Sequence, residues 1–159
     1  MLVDLSELGR NLVPGARLIG LDLGEKTIGI AISDTRRAVA SPLVTRKRSK
    51  FSADFEALMI LAAEHGAGGL VVGLPLNMNG TEGPAAQSAR AFARNFAARS
   101  EMPVLLWDER LSTAAVTRTM LGADLSRRRR AELVDKLAAA WILQGALDAL
   151  SRSTANNPE

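Results

Sequence analysis

No cysteine occurs among the 159 residues. That excludes disulfides, thiolate metal sites, iron–sulfur clusters and cysteine nucleophiles, and it fits a reducing compartment. Tyrosine is also absent, and His65 is the single histidine. A multi-histidine metal site is therefore impossible, and a Ser-His-Asp triad would have only one candidate base. Aromatic residues are scarce, four Phe and two Trp, which argues against an extended platform for stacking single-stranded bases. No apolar run reaches the roughly 18 residues of a membrane span. The first 16 residues carry Asp4 and Glu7 ahead of any basic residue, unlike a secretion signal. We expect a soluble, cytoplasmic protein whose chemistry rests on carboxylates, Lys, Arg, hydroxyls and backbone. Such donors suit hard cations held by oxygen, Mg2+ or Mn2+.

What is present is a globular balance, 47% hydrophobic and 23% charged, in a length that suits one domain. The net charge of +3 is unevenly placed. Residues 36–50 hold six basic residues and no acid, and residues 127–130 are four arginines. Elsewhere acids outnumber bases 17 to 10. A mildly acidic body with two basic segments, rich in the phosphate-matching guanidinium, is the footprint of a nucleic-acid binder. The plain alternative is a solvated surface with local ion pairs.

The hydrophobic pattern predicts strands over 17–23 (RLIGLDL), 27–33 (TIGIAIS) and 38–45, joined by short loops as an antiparallel meander. It predicts a helix over 52–65 ended by Gly66, and a buried strand over 70–74 (LVVGL). A Gly/Pro/Asn loop and a helix over 82–99 follow, then a strand over 103–107. A short helix capped by Ser112 or Thr113 and ending at Gly122 comes next, then a last helix over 127–150 with Ser126 before it. The order β-β-β-α-β-α-β-α-α implies an α/β fold. A mixed five-stranded sheet would have the strands at 17–23, 70–74 and 103–107 parallel. Their carboxyl ends would share one edge, where open α/β sheets place their sites. We expect residues 1–16 to be an extension, 17–151 one domain, and 152–159 a disordered tail.

Asp22 lies within a hydrophobic strand, which is costly for a carboxylate unless it is paired or holds a metal. Asp108 and Glu109 end the last strand at the same edge. Taking Asp135 as reference, Ala138, Ala139, Ile142 and Ala146 share its helix face, and so small a face lets the helix pack close to the sheet. Converging carboxylates without histidine suit one or two divalent cations, which activate water in phosphodiester cleavage. Each acid has a plainer alternative. Asp22 can bond the Gly24 turn, Asp108 can pair with Arg110, and Asp135 can sit exposed beside Lys136. Trp107 and Trp141 read as core residues, and His65 as a capping or surface group.

Four blocks, GLDLGEKTIGIAISD (20–34), VVGLPLNMNGTEG (71–83), WDERLSTAAV (107–116) and VDKLAAAWILQGALD (134–148), resemble in order and spacing the YqgF/RuvX family. These are pre-16S rRNA nucleases related to Holliday-junction resolvases. The resemblance spans about residues 17–150 and implies an RNase H-like fold. It implies Asp22, Glu109 and Asp135 as the catalytic, metal-holding acids, with Asp108 a substitute or support for Glu109. Asn79 stands where many members have Asp, so no catalytic role is given to it.

The resulting expectation is a metal-dependent nuclease that trims the 5′ end of 16S rRNA precursor, with the small ribosomal subunit as an expected partner. The protein would be a monomer or a homodimer. Lys26, Asn77, Arg110, Arg46, Lys47, Arg48, Arg128 and Arg129 would hold substrate. The alternatives are a dimeric four-way DNA junction resolvase and a non-catalytic nucleic-acid-binding or regulatory protein.

Overall fold

A computed structural model describes residues 1–111 and the helix Arg127–Asn156, with the side chains of that helix described over 134–153. The chain order is β1 (Leu2–Val3), α1 (Leu5–Asn11), β2 (Arg17–Leu23), β3 (Thr27–Ser33), β4 (Ala40–Lys47), α2 (Phe51–His65), β5 (Ala67–Leu74), α3 (Pro84–Arg99), β6 (Val104–Asp108), a 3-10 turn (Glu109–Leu111) and α4 (Arg127–Asn156). The expected short helix ending at Gly122, its caps Ser112 and Thr113, Ser126, and the Arg128 and Arg129 side chains lie outside the described residues.

The sheet order is β1-β6-β5-β2-β3-β4. β2, β3 and β4 form the expected antiparallel meander, and β2, β5 and β6 run parallel. Their apolar runs alternate between two helical layers, which is why they are hydrophobic on both faces. Leu18, Ala31, Val71, Leu105 and Trp107 face α1 and α4. Ile19, Leu21, Ile28, Ile30, Leu70, Val72 and Val104 face α2 and α3.

Six strands stand where five were expected. Leu2–Val3 pairs in parallel with Val104–Leu105, and the amide of Val104 donates to the Met1 carbonyl. A two-residue strand has no period to read, but the open edge of β6 offers it unpaired amides. Asp4 then caps α1 in a reciprocal box with Glu7, and Leu8 and Leu12 are buried against α4. The first 16 residues thus share the core.

β4 starts two residues later than the pattern suggested. Asp34 organises the preceding turn, accepting from the amides of Ala38 (2.8 Å) and Val39 (3.1 Å). Those amides hold its carboxyl below the usual carboxylate range. Arg37 sits in the left-handed region (φ 54°), and its guanidinium donates to the carbonyls of Val13 and Ala16. α4 continues six residues beyond the expected end at Leu150. Trp107 is buried as expected, but Trp141 is 42% exposed. It lies off the stripe of Ala138, Ala139, Ile142 and Ala146, all buried against the sheet as their spacing implied. Among the described residues, no helix is long and apolar enough to cross a membrane.

Candidate active site

Three glycines decide how α4 and the acids meet the sheet. In β3, a Cβ on Gly29 would fall 2.0 Å from the Asp135 carbonyl oxygen. The helix backbone therefore rests directly on the strand at the residue carrying the third acid. Asp22 lies opposite Gly29 in the antiparallel ladder, and residues directly opposite project to the same face. Asp22 thus projects toward α4, and it is 7% exposed. In β2, a Cβ on Gly20 would meet the Leu143 Cβ at 2.7 Å, so α4 lies close along this strand as well.

The second acid arrives from the other side. β5 pairs with β2 as far as Leu21↔Val72, which makes Gly73 level with Asp22. A Cβ on Gly73 would lie 3.1 Å from the Glu109 Oε2 and 2.7 Å from the Ile142 Cδ1. The missing side chain leaves a bay on β5, and the half-buried Glu109 lies over it from the 3-10 turn. Asp22, Glu109 and Asp135 therefore share one face at the carboxyl edge of the parallel strands. The Thr27 Oγ1 donates to the Asp135 Oδ2 across 108 residues of chain.

Asp108 is held apart from this group by Arg110. The guanidinium contacts both carboxylate oxygens, Nη2 to Oδ2 at 2.7 Å and Nε to Oδ1 at 3.1 Å, and the Arg110 amide donates to Oδ1. These bonds keep the Asp108 carboxyl below the ordinary carboxylate range and raise Arg110. The plainer reading of Asp108, pairing with Arg110, is the one observed. Arg110 also donates to the Met78 carbonyl, tying the turn to the loop after β5. That loop is closed on itself. Asn77 Nδ2 donates to Thr81 Oγ1 (2.9 Å), the Thr81 hydroxyl to Asn79 Oδ1 (2.7 Å), and Gly80 takes φ +85°. Asn79 is thus a turn-forming residue.

The basic segment 46–50 divides into two kinds of residue. Arg46 Nε donates to Asp54 Oδ1 at 3.1 Å, and Asp54 is a 1% exposed carboxylate that also accepts the Ser49 amide. Arg48 bridges the Gly24 carbonyl (2.8 Å) and the Ser88 hydroxyl (2.9 Å), fixing the turn after Asp22 to the first turns of α3. The side chains of Lys26 and Lys47 are exposed and make no hydrogen bond or ion pair to a described residue. Sequence reasoning missed Asp54, which hides among helix-forming residues. It also missed the contact of Thr27 with Asp135. The signal for the glycine clearances was present, since glycine inside an apolar strand marks close approach.

Among the described residues, no three Asp, Glu or His side chains stand close enough together to enclose a metal ion. The donor set nonetheless fits one. The three carboxylates lie on one face, over strands cleared by glycine, and supply the hard oxygen donors that a divalent cation takes.

The fold is RNase H-like. It matches Thermus thermophilus RuvC, solved in complex with a Holliday junction substrate, with a TM-score of 0.51 and 15% identity, over 87% of this chain and 96% of that one. A second structure of T. thermophilus RuvC gives the same TM-score at 16% identity. At this identity the likeness speaks for the fold alone. The chain belongs to the RuvX family, described as Holliday junction resolvase, whose model matches residues 16–149. A Rhodospirillum rubrum relative named "Putative pre-16S rRNA nuclease" is 59% identical over 95% of this chain and 94% of its own. Relatives of the same name from Rhodobacter capsulatus and Methylocella silvestris are 61% and 52% identical, over 84% and 98% of this chain and 84% and 96% of theirs.

Proposed function

We propose that this chain is a divalent-metal nuclease that trims 16S rRNA precursor in the cytoplasm; the name of its relatives, "Putative pre-16S rRNA nuclease", supports the substrate. The observation that carries the chemistry is the sharing of one face by Asp22, Glu109 and Asp135: Asp22 lies opposite Gly29, and Asp135 and Glu109 approach over Gly29 and Gly73. Asp22, Glu109 and Asp135 would hold Mg2+ or Mn2+. A cation so held supplies a water-derived nucleophile at neutral pH and stabilises the leaving oxygen. No imidazole is near, so the carboxylates are the bases available to orient that water.

The surroundings supply phosphate contacts. Lys26 is exposed on the turn after Asp22's strand, and Lys47 is exposed on β4, paired with Thr27 of β3; point charges of this kind give sequence-independent hold on a backbone. Arg46 and Arg48 shape this surface through Asp54, Gly24 and Ser88 while staying half-exposed. Asn77 and Arg110 form the opposite rim. Arg128 and Arg129 belong to the second basic segment and complete the set. A complex with the small ribosomal subunit follows if the precursor is presented there.

The family description and the RuvC fold favour a second reading, four-way junction cleavage. One experiment tests both. Purified protein is given 5′-extended 16S rRNA and a four-way DNA junction in Mn2+, with EDTA and Asp22→Asn controls. RNA cleavage lost in both controls is expected. Symmetric junction cutting would favour the resolvase instead. Cleavage that survives in Asp22→Asn would overturn the site.

A further inference from the structure

We infer that Thr27 is the positioning residue for the third acid. Its hydroxyl fixes one oxygen of Asp135, so that the other is presented to a divalent cation shared with Asp22. This rests on the carboxylate site proposed above, and it adds a residue outside that acid triad.

The placement follows from the hairpin. The Gly24 amide donates to the Thr27 carbonyl at 2.8 Å, closing the Gly24-Glu25-Lys26 turn. Thr27 begins β3 two residues before Gly29, so both project to the face covered by α4. Without a Cβ at Gly29, the helix backbone at Asp135 reaches the strand. The Thr27 Oγ1 then meets Asp135 Oδ2 as donor. A β-branched side chain has few χ1 wells, so this hydroxyl is held on a stiff stem. Gly24 is the other boundary, since a Cβ there would lie 3.3 Å from Thr27 Oγ1. The hydroxyl is thereby confined between the turn and the helix.

The consequence is chemical. A carboxylate on the first described turns of a long helix has free rotation about its χ2, and each rotamer aims its oxygens differently. A donor on Oδ2 selects one orientation. Hydrogen bonds of this kind to a ligating carboxylate are typically worth roughly 10–100-fold in metal affinity or activity.

The test compares Thr27→Val, which keeps shape and removes the donor, with Thr27→Ser, which keeps the donor. Mn2+ binding is read by electron paramagnetic resonance and calorimetry without nucleic acid. Melting temperature serves as the fold control. Cleavage is then measured against Mn2+ concentration. We expect Thr27→Val to bind Mn2+ roughly 10–100-fold more weakly, with cleavage recovering as Mn2+ is raised, and Thr27→Ser to stay within about threefold of wild type. Equal Mn2+ affinity in wild type and Thr27→Val overturns the proposal, as does a Thr27→Ser protein as impaired as Thr27→Val. A wild type that binds no Mn2+ overturns it too. If Mn2+ binding follows the pattern but no nucleic acid is cut, Thr27 keeps its role and the nuclease reading falls.

Discussion

Gly29→Ala is the substitution in which fold and site are most tightly linked. The new Cβ would stand 2.0 Å from the Asp135 carbonyl oxygen, 2.4 Å from its carbon and 3.1 Å from the Lys136 amide nitrogen. Ordinary contact begins at 3.4 Å, so α4 must withdraw by about 1.4 Å at Asp135. Both sides of this contact are backbone, and no side-chain rotation relieves it. Overpacking of this kind costs roughly 1–3 kcal/mol or more, against about 0.5–1 kcal/mol returned because alanine restricts the unfolded chain. We expect a net loss of about 2 kcal/mol in urea unfolding. The larger effect falls on the site. A shift of about 1 Å in a catalytic group can cost on the order of 100-fold, so cleavage should drop by that factor under conditions where the variant is still folded. Gly73→Ala is the internal control. Its Cβ would meet the ends of Ile142 and Glu109, at 2.7 and 3.1 Å, and these can swing aside. It should lose less than about 1 kcal/mol while still displacing Glu109 and slowing cleavage. A Gly29→Ala protein with wild-type stability and wild-type cleavage would show that α4 does not rest on β3 at Asp135.

Leu8→Ala should cost roughly 2–5 kcal/mol in denaturant unfolding, because Leu8 is fully buried against α4; a loss below 1 kcal/mol would mean that the first 16 residues are dispensable to the core. Asp54→Ala removes the acceptor for Arg46 Nε and the Ser49 amide from a buried position, and a loss of about 3 kcal/mol is expected, read by thermal unfolding. The Asp108 carboxyl is held low by Arg110 in the folded state. Its contribution is therefore present above the unfolded carboxylate value near pH 4 and fades as pH falls through the lowered one. Asp108→Asn should accordingly be less stable than wild type at pH 7, and the two should converge in melting temperature as pH falls below that lowered value; a constant gap would refute the pairing.

The parallel edge and its acids were legible in the chain because they depend on local pattern. RLIGLDL and TIGIAIS are too uniformly apolar to face water on either side, and Asp22 stands out there as a charge that needs a partner. Ala138, Ala139, Ile142 and Ala146 declare a small, sheet-facing stripe by spacing alone, and with it the side of the helix that carries Asp135. These readings need only the periods 2 and 3.6 and the cost of burying charge.

Other features required the assembled molecule. Leu2–Val3 is a strand only because β6 presents an open edge, and no two-residue segment encodes its own pairing. Asp108 and Glu109 are neighbours of the same chemistry, and sequence alone left both as candidates. Tertiary structure separates them, since Arg110 takes both oxygens of Asp108 while Gly73 clears a bay for Glu109. Trp141 looked like core because tryptophan usually is, yet its position on the helix turns it out of the stripe. Thr27 and Asp135 are 108 residues apart, and only the closure of α4 over Gly29 brings hydroxyl and carboxylate together. Local pattern therefore determined which residues form the layers and which acids are costly to bury. The three-dimensional contacts of glycine, arginine and threonine decided where each of those acids lies, because they depend on distances that no sequence period contains.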